Sequence, residues 1–129
     1  MADEDRYRPA PLREVRARDE AIRRGELASA VGSASEAEAR LAAARAALAS
    51  AIAACDAQPT AARRVLAERF VARRRRELAR LADDLARASG AVDHARAVLV
   101  RARAERELIE RHFERWRAER RKLADRRED

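Results

Sequence analysis

Apolar side chains recur along the second half of this 129-residue chain at alternating steps of three and four. They run through Leu78, Leu81, Leu85, Ala88, Val92, Ala95, Leu99 and Ala102, then Arg106, Ile109, Phe113, Trp116, Arg120 and Leu123. Twelve of these fourteen positions are apolar. That spacing is the a/d pattern of a coiled-coil seam, which needs a second helix to cover it. The first half supplies one. Leu27, Ala30, Ala34, Ala37, Leu41, Ala44, Leu48, Ala51 and Cys55 repeat the same steps. Leu12, Val15 and Ile22 share that spacing in another phase, so a four-residue stutter is expected near Glu26, where the supercoil would locally unwind.

Between the two stripes lies Asp56-Ala-Gln-Pro-Thr60. Pro59 cannot extend a helical hydrogen-bond ladder and restricts the residue before it, while Thr60 is a good N-cap for a second helix. A connection this short lays two helices antiparallel. The expected fold is therefore all-α, a long two-helix antiparallel coiled-coil hairpin forming a single domain. It comprises an irregular leader over 1–11, helix one over 12–56, a turn over 57–60 and helix two over 60–127. Pro11 suits the first turn of helix one, where its missing donor costs nothing. A turn centred near Pro59 sets Leu41 against Leu78, Ala37 against Leu81, Ala34 against Leu85, Leu27 against Val92 and Ile22 against Ala95. Small residues then face larger ones, and the axes approach closely. Glu14 with Arg18, Glu36 with Arg40 and Glu107 with Arg111 are outward i,i+4 pairs, each adding only about 0.2–0.5 kcal/mol.

Two glycines interrupt the pattern, Gly32 beside Ser33 and Gly90 beside Ser89. Each costs about 1 kcal/mol relative to alanine. Either the hairpin has a soft waist at this level, or helix one breaks there, since Ser33-Ala-Ser-Glu36 fits a capping box.

The composition agrees with a thin, repeated seam rather than a compact core: 47% hydrophobic, mostly alanine, with 41% charged and 3% aromatic residues. Cys55 is the sole cysteine, so no intramolecular disulfide forms, and its seam position suits a small hydrophobe. The start, Met1-Ala-Asp-Glu-Asp-Arg6, lacks the basic and apolar run of a signal peptide. The most apolar stretch, Leu41–Cys55, is shorter than the roughly 20 residues that span a bilayer. A cytoplasmic protein is expected.

No catalytic constellation is visible. There is no glycine-rich phosphate loop or Cys/His cluster, and His94 and His112 stand far apart, as solvated helix residues would. The expectation is a chain without enzymatic activity or cofactor, working by contacting other proteins.

Two surfaces stand out for that role. The net charge of +7 belongs to the second half, and its densest part is Arg73-Arg-Arg-Arg76 with Arg63, Arg64, Arg69 and Arg80 near the turn. Arg69, Phe70, Arg73, Arg74, Arg75 and Arg76 form a basic tip suited to an acidic protein, a nucleic acid or an anionic membrane. Nucleic acid is disfavoured because Phe70 is the one stacking residue there. The second surface is the stripe Ile109, Phe113 and Trp116, edged by Arg120 and Arg121, which lies beyond the end of helix one and would face residues 9, 5 and 2. Aromatics and arginine are favoured interface anchors. Either this stripe binds a partner, or Tyr7 and the prolines fold back over it.

Pro11-Leu-Arg-Glu-Val-Arg-Ala-Arg-Asp-Glu20 opening helix one, the central turn, and Glu110-Arg-His-Phe-Glu-Arg-Trp-Arg-Ala-Glu-Arg-Arg-Lys122 closing helix two resemble the FliJ/YscO-like stalk proteins of flagellar export and type III secretion. The resemblance spans most of the chain. It implies a monomeric hairpin, peripheral to a membrane secretion apparatus, that inserts into a hexameric export ATPase and links it to the export gate. By that analogy the end bearing both termini engages the ATPase, and the tip around Phe70 points toward the gate. Two other classes answer to the same residues: an arginine-rich nucleic-acid-binding hairpin and a self-associating structural coiled coil.

Overall fold

The structure, a computed structural model, describes residues 6–129. It is an all-α hairpin of two helices, α1 over Ala10–Asp56 and α2 over Ala61–Glu128. Helix α1 starts as its prolines dictate. The Pro9 carbonyl accepts from the Arg13 amide at 3.0 Å, and Pro11 occupies the first turn, where no donor is needed. At the other end Gln58 satisfies an orphan carbonyl, its Nε2 donating to Ala54 at 2.9 Å. Thr60 then caps α2: its Oγ1 accepts from the Arg63 amide at 3.3 Å and its carbonyl from Arg64 at 2.9 Å.

The chain divides into two compact units, one joining residues up to Leu27 with Ala95–Asp129, the other formed by Ala28–His94. In the second unit Ala51, Cys55 and Val71 are buried together, with Leu48 and Ala67 packed against them. Ala37, Leu41, Leu81 and Val92 are also buried, as the α2 stripe requires. Residues 61–66 are all exposed, so the α2 seam begins only at Ala67. The first turn and a half of α2 lies outside the seam. For that reason the expected pairing, centred on Pro59, falls about one helical turn short: Cys55 shares its cluster with Ala67 and Ala51 with Val71. Leu41 is buried and Leu78 only partly so, with Leu81 the buried leucine of α2 at that level.

The first unit shows the same offset, for Arg13 reaches Glu110 where the expected register places it near residue 105. Its seam differs more deeply from expectation. Leu12, Val15 and Ile22 are about half exposed, and the positions turned inward are Arg13, Arg16, Glu20, Arg23 and Leu27. These continue the three- and four-residue spacing of Ala30–Cys55 in one phase, so the stutter expected near Glu26 does not occur. Interhelical ion pairs make a charged seam tolerable and remove the need for a phase change.

Neither helix breaks at its glycines. Helix α1 runs without interruption through Gly32, and α2 through Gly90. A Cβ added at Gly25, Gly32 or Gly90 would meet nothing within 4 Å. Of the three outward ion pairs expected, Glu36–Arg40 forms at 3.9 Å. Neither Glu14–Arg18 nor Glu107–Arg111 appears among the ion pairs of the described residues.

Candidate protein-binding surfaces

In the unit that holds both termini, Tyr7 is buried to 5% exposure against α2. Its ring centroid lies 5.0 Å from that of Phe113, edge-on, and 5.1 Å from that of Trp116. Phe113 and Trp116 stack on each other at 6.0 Å. The phenol hydroxyl and His112 Nδ1 are hydrogen-bonded at 2.7 Å. His112 is therefore a partner of the leader and not merely a solvated residue. Guanidinium groups finish the cover, Arg13 at 3.9 Å and Arg117 at 5.6 Å from the Phe113 ring centre, and Arg120 at 5.7 Å from that of Trp116. Residues 5 and 2, expected opposite Phe113 and Trp116, lie outside the described residues.

The leader thus covers much of the stripe. Ile109, Phe113, Trp116 and Arg120 are half-buried on one face of α2, while Arg121 is exposed. Leu123 ends the heptad pattern exposed, beside Trp116, Arg120, Ala124 and Arg127 along a shallow surface groove. From Arg121 to the end, every residue of α2 is exposed.

The charged seam beneath this cover centres on Glu20, a residue only 4% exposed. Oε1 lies 3.0 Å from Arg24 Nη2 and 3.5 Å from Arg103 Nε, and Oε2 pairs with Arg106 Nε. Arg16 joins Glu105 at 2.6 Å and Arg13 joins Glu110 at 2.7 Å. The hydrogen bond from Arg13 holds the Glu110 carboxyl below its ordinary range, and the same bond raises Arg13. Sequence reasoning misses this network. The Glu20–Arg24 spacing is that of an ordinary surface pair, and the neighbouring Leu12, Val15 and Ile22 draw the seam to another face.

The second unit carries the basic tip. Arg69, Phe70, Arg73, Arg75 and Arg76 are exposed and Arg74 is half-buried. Arg74 pairs with Glu77 at 3.2 Å and lies 5.0 Å from the centre of the Phe70 ring, with Arg73 at 5.6 Å. Among the described residues, Arg69, Arg73, Arg75 and Arg76 enter no ion pair. Residues 61–80 hold eight arginines against Glu68 and Glu77 alone. Of these tip residues Arg69, Arg73 and Arg76 follow one another at three- and four-residue spacing on one side of α2, while Arg74 lies toward the seam.

Among the described residues no three His, Cys, Asp or Glu side chains converge as a metal site, and no helix is long and apolar enough to cross a membrane. No family model, curated protein or solved structure matches the chain.

Proposed function

We propose that this hairpin is a non-enzymatic stalk of a flagellar or type III export apparatus, engaging a hexameric export ATPase by its terminal end and the export gate by its basic tip. The observation that carries the reading is the inequality of the helices. The last turns of α2, from Arg121, are exposed on every side, and they overlap and continue the segment Glu110–Lys122, one of the stretches on which the family resemblance rests. A bare, arginine-rich helix end is a shape that a ring-shaped partner can enclose, and its guanidinium groups suit carboxylate-lined walls. The chemistry in such an assembly belongs to the ATPase. A stalk contributes by favouring one state of the ring over another, which requires only that it bind those states unequally.

The test uses the purified chain with the export ATPase encoded in the same genome. Full-length protein is expected to promote ring assembly and raise hydrolysis. A chain ending at Arg120 is expected to keep its helicity, because the deleted residues are exposed, and to lose that stimulation. An ATPase indifferent to the full-length hairpin would remove the reading.

A further inference from the structure

We propose that the exposed face of α2 next to the turn is a seat for an anionic lipid surface. The inference rests on the chemistry of this face and stands whether or not the stalk reading does. Leu66, Arg69, Arg73 and Arg76 succeed one another at three- and four-residue spacing, so they share one side of the helix. Leu66 is 63% exposed and Val65 beside it is nearly half exposed, apolar surface that the hairpin leaves in water. Leu66, Arg69, Ala72, Arg73 and Arg76 line one shallow depression of about 420 Å³. Its lining combines the aliphatic side chains of Leu66 and Ala72 with three guanidinium groups.

That combination fits a bilayer interface better than the alternatives. A helix lying in the headgroup plane presents aliphatic residues to the acyl boundary and long cationic side chains to phosphates, with the arginine stems covering apolar surface on the way. Charge selects the partner: with no acidic residue pairing Arg69, Arg73 or Arg76, the complementary surface is negative. A nucleic acid would use the same guanidinium groups but leave Val65 and Leu66 without a contact. Nor is Phe70 a free stacking platform, since Arg73 and Arg74 already lie over its ring.

Vesicle flotation with the full chain tests the proposal, using vesicles of phosphatidylglycerol mixed with phosphatidylcholine against phosphatidylcholine alone. Binding to the anionic vesicles only, weakened by salt, is the expected result. Each arginine near an anionic surface is worth about fivefold in affinity, so Arg69→Gln with Arg73→Gln should weaken binding about twenty-five-fold. Leu66→Ser should weaken it severalfold at constant charge. Arg96→Gln with Arg101→Gln, exposed arginines elsewhere on α2, should change it far less, and circular dichroism should show all variants equally helical. Three results would overturn the proposal: no binding to anionic vesicles at low salt, equal losses from the two arginine pairs, or indifference to Leu66→Ser. The last, accompanied by duplex DNA binding with the same dependence on Arg69 and Arg73, would assign the face to nucleic acid instead.

Discussion

The buried carboxylate of Glu20 on α1 is held by the guanidinium of Arg106 on α2, at two positions where an ordinary coiled coil would place a leucine against an alanine or a valine. Arg24 and Arg103 complete the shell. Removing the acid leaves like charges facing one another. The arginines are partly exposed and can turn to water, which moderates the loss relative to the 3–5 kcal/mol of a fully buried pair. Glu20→Ala is expected to cost about 1–2 kcal/mol in urea unfolding. Glu20→Leu with Arg106→Leu should be neutral or stabilising, as hydrophobic replacement of buried ion pairs often is, and should loosen the specificity of helix pairing. Spin labels across the terminal unit of that double variant are expected to show more than one distance.

Tyr7 makes the aromatic cover conditional on the leader. Trp116 is the only tryptophan, so its fluorescence reports that cover directly. Tyr7→Ala should shift Trp116 emission to longer wavelength and cost about 2 kcal/mol, for a lost buried ring and its aromatic contacts. Phe113→Ala with Trp116→Ala should also destabilise the fold, by about 2 kcal/mol each, less than for fully buried rings because both are half-buried. If the ATPase binds this stripe, Tyr7→Ala should tighten the complex, since the partner no longer has to displace the phenol. An unchanged or weaker affinity would assign the ring to the fold alone.

Gly32 and Gly90 are helical, exposed and free of any neighbour that a Cβ would strike. Alanine at either site should raise stability by about 1 kcal/mol through helix propensity. The gain should be read as an increased urea midpoint with an unchanged slope. A loss at either site would mean that glycine serves a bend the folded hairpin requires.

The Arg13–Glu110 pair predicts the acid limb of stability. Glu110 titrates below its ordinary range in the folded chain, so the unfolded state takes up its proton first as pH falls. The contribution is complete above the unfolded carboxylate range and is lost as pH drops through the folded value. Glu110→Gln should therefore lower stability at neutral pH and flatten its fall between neutral and acidic pH. An identical pH profile for wild type and variant would exclude the pair from that limb.

Much of this protein is decided by its sequence alone. Pro9 and Pro11 start one helix, Pro59 and Thr60 separate it from the next, and the Leu78–Arg120 stripe selects the buried face of α2, because a run of large apolar residues at 3.5-residue spacing has only one way to leave water. The two candidate surfaces are legible for similar reasons, one as a block of uncompensated charge and the other as the only cluster of large rings. What the tertiary structure decides is the seam of α1 before Leu27. There Leu12, Val15 and Ile22 offer one face and Arg13, Arg16, Glu20 and Arg23 another, and apolar content favours the first. Glu105, Glu110, Arg103 and Arg106 on α2 supply the opposite charges that make the second acceptable, and continuity of the helix carries the phase set by Ala30–Cys55 back to Arg13. The one-turn offset between the helices has the same origin: it depends on where α2 first touches α1, at Ala67 rather than at the turn. A side chain's preference for burial is local, but the partner that satisfies a buried charge is fixed only when the two helices meet.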